Sequence, residues 1–169
     1  MKVFLIGYMG SGKSTAGKKL AEKLRLSFID FDEYIEKQSG KTIPDIFESE
    51  GEEKFRSMER KCLEQIVGMD NAVISLGGGT PCFNNNMELI NKSGISVYIE
   101  TGVDDLVKRL IKSKTSRPLI QGLNETDLKK FIEATLEMRL PFYKMARHTV
   151  HADAHTVEET AAAIEQLTK

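Results

Sequence analysis

Short apolar runs alternate along this chain with longer stretches in which apolar residues return every three or four positions. Residues 3–6, Val-Phe-Leu-Ile, form an unbroken apolar run that stops at Gly7. Successive strand side chains point to opposite sides, so such a run suits a strand covered on both faces. Ser27-Phe28-Ile29-Asp30, Ala72-Val73-Ile74-Ser75-Leu76 and Ser96-Val97-Tyr98-Ile99 predict further strands, and Thr149-Val150-His151 a weaker one. Helical periods lie between them: Ala16, Leu20 and Leu24; Leu128, Ile132 and Leu136; Val157, Ala161 and Ile164. Thr156 and Glu159 form a capping box ahead of the last of these. Pro141 is expected to end or kink the helix before it, because proline lacks the N–H and clashes with the preceding turn. Strands alternating with helices imply right-handed crossovers and an α/β fold, a parallel sheet with helices on both faces. Ligands then bind at the carboxyl ends of the strands. With 169 residues and no repeat, low-complexity tract or linker, one domain is expected.

Charge narrows the function. Lys plus Arg number 24 and Asp plus Glu 25, so a globally basic nucleic-acid footprint is absent and no nucleic-acid partner is expected. The two cysteines, Cys62 and Cys82, are too few for a disulfide framework or a four-thiolate metal site. They are expected to be free thiols in a reducing compartment. The apolar start is too short for a signal-peptide core, and no stretch approaches the ~20 apolar residues of a membrane span. The expectation is a cytoplasmic protein with no membrane partner. No heptad seam or long apolar surface helix is evident, which makes a monomer the default.

The residues at the strand ends carry the chemistry. Gly7-Tyr8-Met9-Gly10-Ser11-Gly12-Lys13-Ser14 matches G-x-x-x-x-G-K-[ST], with an apolar strand before it and a helical period after it. Glycines let backbone N–H groups turn inward around an anion, and the helix beginning near Ser14 adds its positive end. Lys13 can reach the β- and γ-phosphates, and Ser14 can ligate Mg²⁺. The loop alone does not separate kinases from GTPases, motors or non-hydrolysing modules.

Asp30 and Asp32 flank Phe31 after the second strand and share one side of it. One carboxylate could hold water on Mg²⁺ while the other accepts a proton from an attacking hydroxyl. Alternatively, Asp32 caps a helix that begins at Glu33. Residues 30–53 carry nine acidic and two basic side chains, and Arg56 then stands three residues before Glu59. On a helix that carboxylate can fix a guanidinium fork suited to a substrate carboxylate. Taken alone, however, such a pair reads as an ordinary surface ion pair worth ~0–1 kcal/mol. Gly77-Gly78-Gly79 directly follows a buried strand, where a bland turn needs one glycine or two. The triplet suits a backbone that must come close to a ligand. Residues 106–123 hold five basic side chains (Lys108, Arg109, Lys112, Lys114, Arg117) and no acidic ones. From Ser113 onward periodicity weakens, as in a mobile loop that closes over a nucleotide and brings Arg117 to the transferring phosphoryl. Arg139 shares a helical face with Leu128, so it points inward and needs a partner, either a substrate anion or an internal carboxylate.

Together these motifs resemble the shikimate kinase family, and the resemblance spans nearly the whole chain. Residues 7–15 resemble its phosphate loop, Asp30-Phe31-Asp32 its D-x-D, and Phe55-Arg56 with Glu59 its F-R-x-x-E. Gly77-Gly78-Gly79 resembles its triple glycine, Arg117-Pro118-Leu119 its lid R-P-L, and Arg139 with Tyr143 its R-x-x-x-Y. The resemblance implies a P-loop NTPase fold of the nucleoside-monophosphate-kinase type with a five-stranded parallel sheet. It also implies transfer of the ATP γ-phosphoryl to the 3-hydroxyl of shikimate, on the route to chorismate and aromatic amino acids. Gly10, Ser11, Gly12, Lys13, Ser14 and Thr15 would bind ATP. Ser14 would ligate Mg²⁺, and Asp30 would hold it through water. Asp32 would be the candidate base. Arg56, oriented by Glu59, and Arg139 would grip the shikimate carboxylate, beside Gly77, Gly78 and Gly79. Arg117 would come from the lid and Arg109 would stack on adenine. Substrate-binding helices would span about 32–61 and the lid about 112–124. Two stretches depart from expectation. Thr80-Pro81-Cys82-Phe83 has neighbours that shape the pocket, and Ala152-Asp153-Ala154-His155 lacks a basic residue beside the adenine. His155 reads as a surface residue.

Three rivals are weighed against this. A gluconate kinase would not need the triple glycine, two carboxylate-gripping arginines or the R-P-L lid. A nucleoside monophosphate kinase needs a base-reading pocket for which nothing here stands out. A catalytically silent nucleotide-binding module should have lost Lys13, Asp32 or Arg117, and all three are present.

Overall fold

A computed structural model describes residues 1–113, 119–153 and 155–169. Five parallel strands form one sheet: β1 (Lys2–Ile6), β2 (Ser27–Asp30), β3 (Ala72–Ser75), β4 (Ile95–Glu100) and β5 (His148–His151), in the order β2-β3-β1-β4-β5. The apolar run of β1 is explained by its central place. Phe4 and Ile6 pack into a core on one face, Val3 and Leu5 into a second core on the other, and all four are fully buried. Each such side chain contributes about 1.5–3 kcal/mol relative to exposure. The expected weak strand, β5, is one of the two edges, with β2 the other, and its burial is confined to Val150 and, partly, His148.

The helices are α1 (Lys13–Leu24), α2 (Phe31–Ser39), α3 (Ile43–Val67), α4 (Asn86–Ser93), α5 (Val103–Lys112), α6 (Glu125–Tyr143) and α7 (Val157–Leu167). Ala16 and Leu20 of α1 and Ala161 and Ile164 of α7 close one core; α2 to α6 cover the other. The capping box at Thr156 and Glu159 forms as the sequence predicts. α3 changes direction at Gly51, which is not helical. No helix among the described residues is long and apolar enough to cross a membrane.

Pro141 does not end its helix. α6 runs on to Tyr143. Pro141 and Glu137, whose carbonyl loses its N–H partner, both lie on the solvent side, where water can take that carbonyl. The last turn is anchored by Tyr143, fully buried, whose hydroxyl donates to the Gly78 carbonyl at 2.6 Å.

Candidate active site

β1 ends at Ile6, and the loop that follows wraps around the N-terminus of α1. Gly12 is the residue before the helix and sits at φ 88°, ψ 13°. A side chain in that left-handed conformation costs roughly 1–2 kcal/mol, which explains the glycine. Lys13 is buried, and its ammonium donates to the carbonyls of Gly7 at 2.8 Å and Tyr8 at 2.9 Å. Ser11 Oγ is buried on the same loop with no hydrogen-bond partner among the described residues. Buried polar atoms are ordinarily paired, so an orphan here suits an incoming oxyanion. Arg109 NH1 lies 3.5 Å from the Gly10 carbonyl, placing its guanidinium over the loop. Thr15 follows in the first turn and is exposed. A cleft of about 640 Å³ opens here, lined by the loop, Asp30, Asp32, Gly77, Gly78 and Arg109.

Asp30 is held by both oxygens. Its Oδ1 accepts from the backbone N–H of Asp32 (3.1 Å) and Glu33 (3.3 Å), while Oδ2 accepts from Ser14 Oγ at 3.0 Å. The cap of α2 is therefore Asp30, and the reading of Asp32 as a cap is overturned. The helix begins one residue after the strand, which leaves Asp32 in its first turn. Ser75, at the end of β3, places its Oγ 3.2 Å from that of Ser14. Three oxygens thus cluster beside the phosphate loop. This is a hard donor set, and it is sparse enough for a divalent ion that keeps waters and takes phosphate oxygens as its other ligands.

Asp32 stands at the cleft with its carboxyl pushed up to about 6. Asp32 is exposed at the cleft mouth, and the protein atoms crowded around its carboxyl are the first cause of the shift, followed by Asp30; Lys13 opposes it, and Glu59 and Glu36 add to it.

The far side of the cleft is built from distant segments. Arg56 NH1 donates to Glu59 Oε1 at 2.9 Å, and Glu59's other oxygen accepts from Thr80 Oγ1 at 2.7 Å. The Glu59 side chain is 2% exposed. Both oxygens of the buried Glu59 are hydrogen-bonded and Arg56 is largely enclosed, so the reading of Arg56 and Glu59 as a surface ion pair does not hold. Glu52 adds a looser contact to Arg56 Nε at 3.6 Å. Arg139 turns inward as its helical face predicts. It lies over the Tyr8 ring at 5.5 Å and, among the described residues, forms no ion pair with a carboxylate.

The triple glycine faces these groups in turn. A Cβ at Gly77 would sit 2.7 Å from Asp32 Oδ1, at Gly78 2.9 Å from Arg139 NH1, and at Gly79 2.7 Å from Arg56 NH2. Each glycine clears space for one functional side chain, bringing a carboxylate and two guanidiniums onto one strip of backbone.

The structure thus gathers Lys13, Ser14, Asp30, Asp32, Arg56, Glu59, Arg109, Arg139 and the three glycines at the carboxyl end of the sheet. Arg117 lies outside the described residues, as does most of the R-P-L motif. His155 is exposed, 3.7 Å from Glu159, as a surface residue should be. The sequence assigns no role to Ser75 or to the ring of Tyr8, and it marks Thr80 and Phe83 only as part of a stretch whose neighbours shape the pocket. Ser75 had a signal, being the polar residue in an apolar strand. The partners of Thr80 and Phe83 lie far away in sequence.

Comparison with known proteins places the chain in a family. A family model described as shikimate kinase matches residues 9–169. The chain is 52% identical over 146 residues to a shikimate kinase of Azobacteroides pseudotrichonymphae, covering 86% of each chain. It is 46% identical over 157 residues to one of Parabacteroides distasonis, covering 93% of this chain and 91% of the relative. The crystal structure of shikimate kinase from Bacteroides thetaiotaomicron superposes with a TM-score of 0.94 at 40% identity, over 99% of this chain and 97% of that one. That of Acinetobacter baumannii in complex with shikimate gives 0.89 at 36% identity, over 98% and 91%.

Proposed function

The chain belongs to the shikimate kinase family, and from that premise we propose how its residues divide the work of moving the ATP γ-phosphoryl to the 3-hydroxyl of shikimate. The products are shikimate 3-phosphate and ADP, ahead of chorismate and the aromatic amino acids. The fold is the P-loop NTPase fold of the nucleoside-monophosphate-kinase type. Residues 1–169 act as one kinase unit, with acceptor-binding helices over about 32–61 and a lid over about 112–124.

The triphosphate lies in the loop of residues 7–15. Lys13 exchanges its carbonyl partners for phosphate oxygens, Ser11 Oγ donates to an oxyanion, and Arg109 flanks the nucleotide. Ser14 Oγ and Asp30 would hold the divalent ion, Mg²⁺ in this reading, which when bound would neutralise phosphate charge. Asp30's cap bonds fix the direction of the oxygen that does this. Arg56 and Arg139 hold the shikimate carboxylate, and the glycine strip offers backbone to the ring hydroxyls. Asp32, whose carboxyl is pushed up to about 6, is ionised at neutral pH yet basic enough to take the 3-hydroxyl proton as the P–O bond forms. Arg117 reaches the transferring phosphoryl from the lid. Most of the acceleration is then positioning and charge neutralisation.

One observation carries this reading: the three glycines that admit Asp32, Arg139 and Arg56 side by side. An acceptor with one carboxylate and a reacting hydroxyl is what such a set can hold. The test is ADP release from ATP and Mg²⁺ on adding shikimate or, separately, gluconate. Turnover is expected with shikimate alone and is expected to fall by about 10²–10⁴ in Asp32→Asn. Equal turnover with gluconate, or an unimpaired variant, would overturn the acceptor assignment or the role of Asp32 respectively.

A further inference from the structure

Phe83 takes no part in the reaction as laid out, yet it makes the tightest ring contact with a substrate-facing group. Its ring centroid lies 3.9 Å from Arg56 Cζ, although the residue is 37% exposed. The ring's partner is Arg56. Its NH1 is committed to Glu59, and its buried Nε has no hydrogen-bond partner among the described residues. NH2 is left beside Gly79, facing the acceptor strip. The ring covers one guanidinium face, so water is kept from that face while the edge stays open. The segment carrying Phe83 is tied down independently. Asn84 Nδ2 donates to the Arg56 carbonyl at 3.2 Å, Arg60 NH1 donates to the Asn84 carbonyl at 2.8 Å, and Thr80 bonds Glu59.

We propose that Phe83 is a positioning residue for the acceptor carboxylate: by stacking on Arg56 it fixes the guanidinium plane and shields it from water. The inference rests on the reading of Arg56 as a carboxylate grip. A planar fork held in one plane, with one face dry, binds a carboxylate more strongly than a free one, because less rotamer freedom is lost and the local dielectric is lower.

The test is steady-state kinetics with both substrates varied. Phe83→Ala should raise the KM for shikimate about tenfold, which is about 1.4 kcal/mol. Its kcat and its KM for ATP should stay within about twofold. Phe83→Tyr, which keeps the ring face, should restore the wild-type KM. Phe83→Leu, which keeps bulk but no π face, should behave like the alanine variant. A shikimate KM unchanged in Phe83→Ala, or restored by leucine, would overturn the proposal. So would a parallel loss for both substrates with a lowered Tm, since that marks a structural residue. Absence of shikimate turnover in the wild type would instead bring down the parent reading, and this inference with it.

Discussion

The phosphate cradle and the acceptor strip lie at the same end of the sheet, but they are assembled in opposite ways. The cradle is one contiguous stretch, residues 7–14, whose loop geometry comes from glycine dihedrals and the start of α1. The acceptor strip gathers Asp32 from α2, Arg56 and Glu59 from α3, Arg139 and Tyr143 from α6, and glycines that follow β3. Its side chains are held by contacts between residues distant in sequence, such as Thr80 on Glu59 and Tyr143 on Gly78. In the proposed reading, nucleotide binding rests mainly on local backbone shape, whereas acceptor binding rests on tertiary packing. The two should respond separately to substitution.

The strongest challenge to that separation is Arg139→Met, which removes a guanidinium that no carboxylate of the described residues neutralises. A charge-assisted hydrogen bond is worth about 1.5–3 kcal/mol, so the KM for shikimate should rise about 10–100-fold while the KM for ATP stays put. A matching rise for ATP would show that the two regions are coupled. A pH profile comes next. If Asp32 takes the hydroxyl proton as proposed, its deprotonated form is the active one, and its carboxyl is pushed up to about 6. kcat/KM for shikimate should therefore be flat above pH 7 and fall as pH drops through 6, losing about tenfold by pH 5. A profile flat to pH 5 would remove Asp32 from proton transfer. The finest probe divides the strip itself. Gly79→Ala pushes against Arg56 NH2 and should raise the shikimate KM about fivefold. Gly77→Ala pushes against Asp32 and should lower kcat by a similar factor with KM nearly kept. Identical effects from the two would mean that the strip acts as a whole.

The same contrast governs what the sequence reveals. The cradle is legible because spacing and dihedral demands sit together in eight residues. The strands are legible because a sheet buried on both faces leaves unbroken apolar runs, and even edge strand β5 shows as the weakest of them. Arg56 and Glu59 are legible as a pair but not as a buried one, since i, i+3 spacing is the same on a wet or a dry helix face. What dries this face is Thr80 and Phe83, met only after folding. Asp30 and Asp32 could not be ranked as cap and base until the start of α2 was fixed to within one residue. Pro141 misleads because its cost depends on whether water reaches the freed carbonyl, a property of the surface and not of the local sequence.

The glycine strip also bears on inhibition. A competitive inhibitor that spends its hydrogen bonds on the backbone of residues 77–79 would be hard to escape by mutation. Any side chain introduced there to dislodge it would begin 2.7–2.9 Å from Asp32, Arg139 or Arg56, displacing the groups on which the proposed reaction rests. Resistance at this strip would then carry its own fitness penalty.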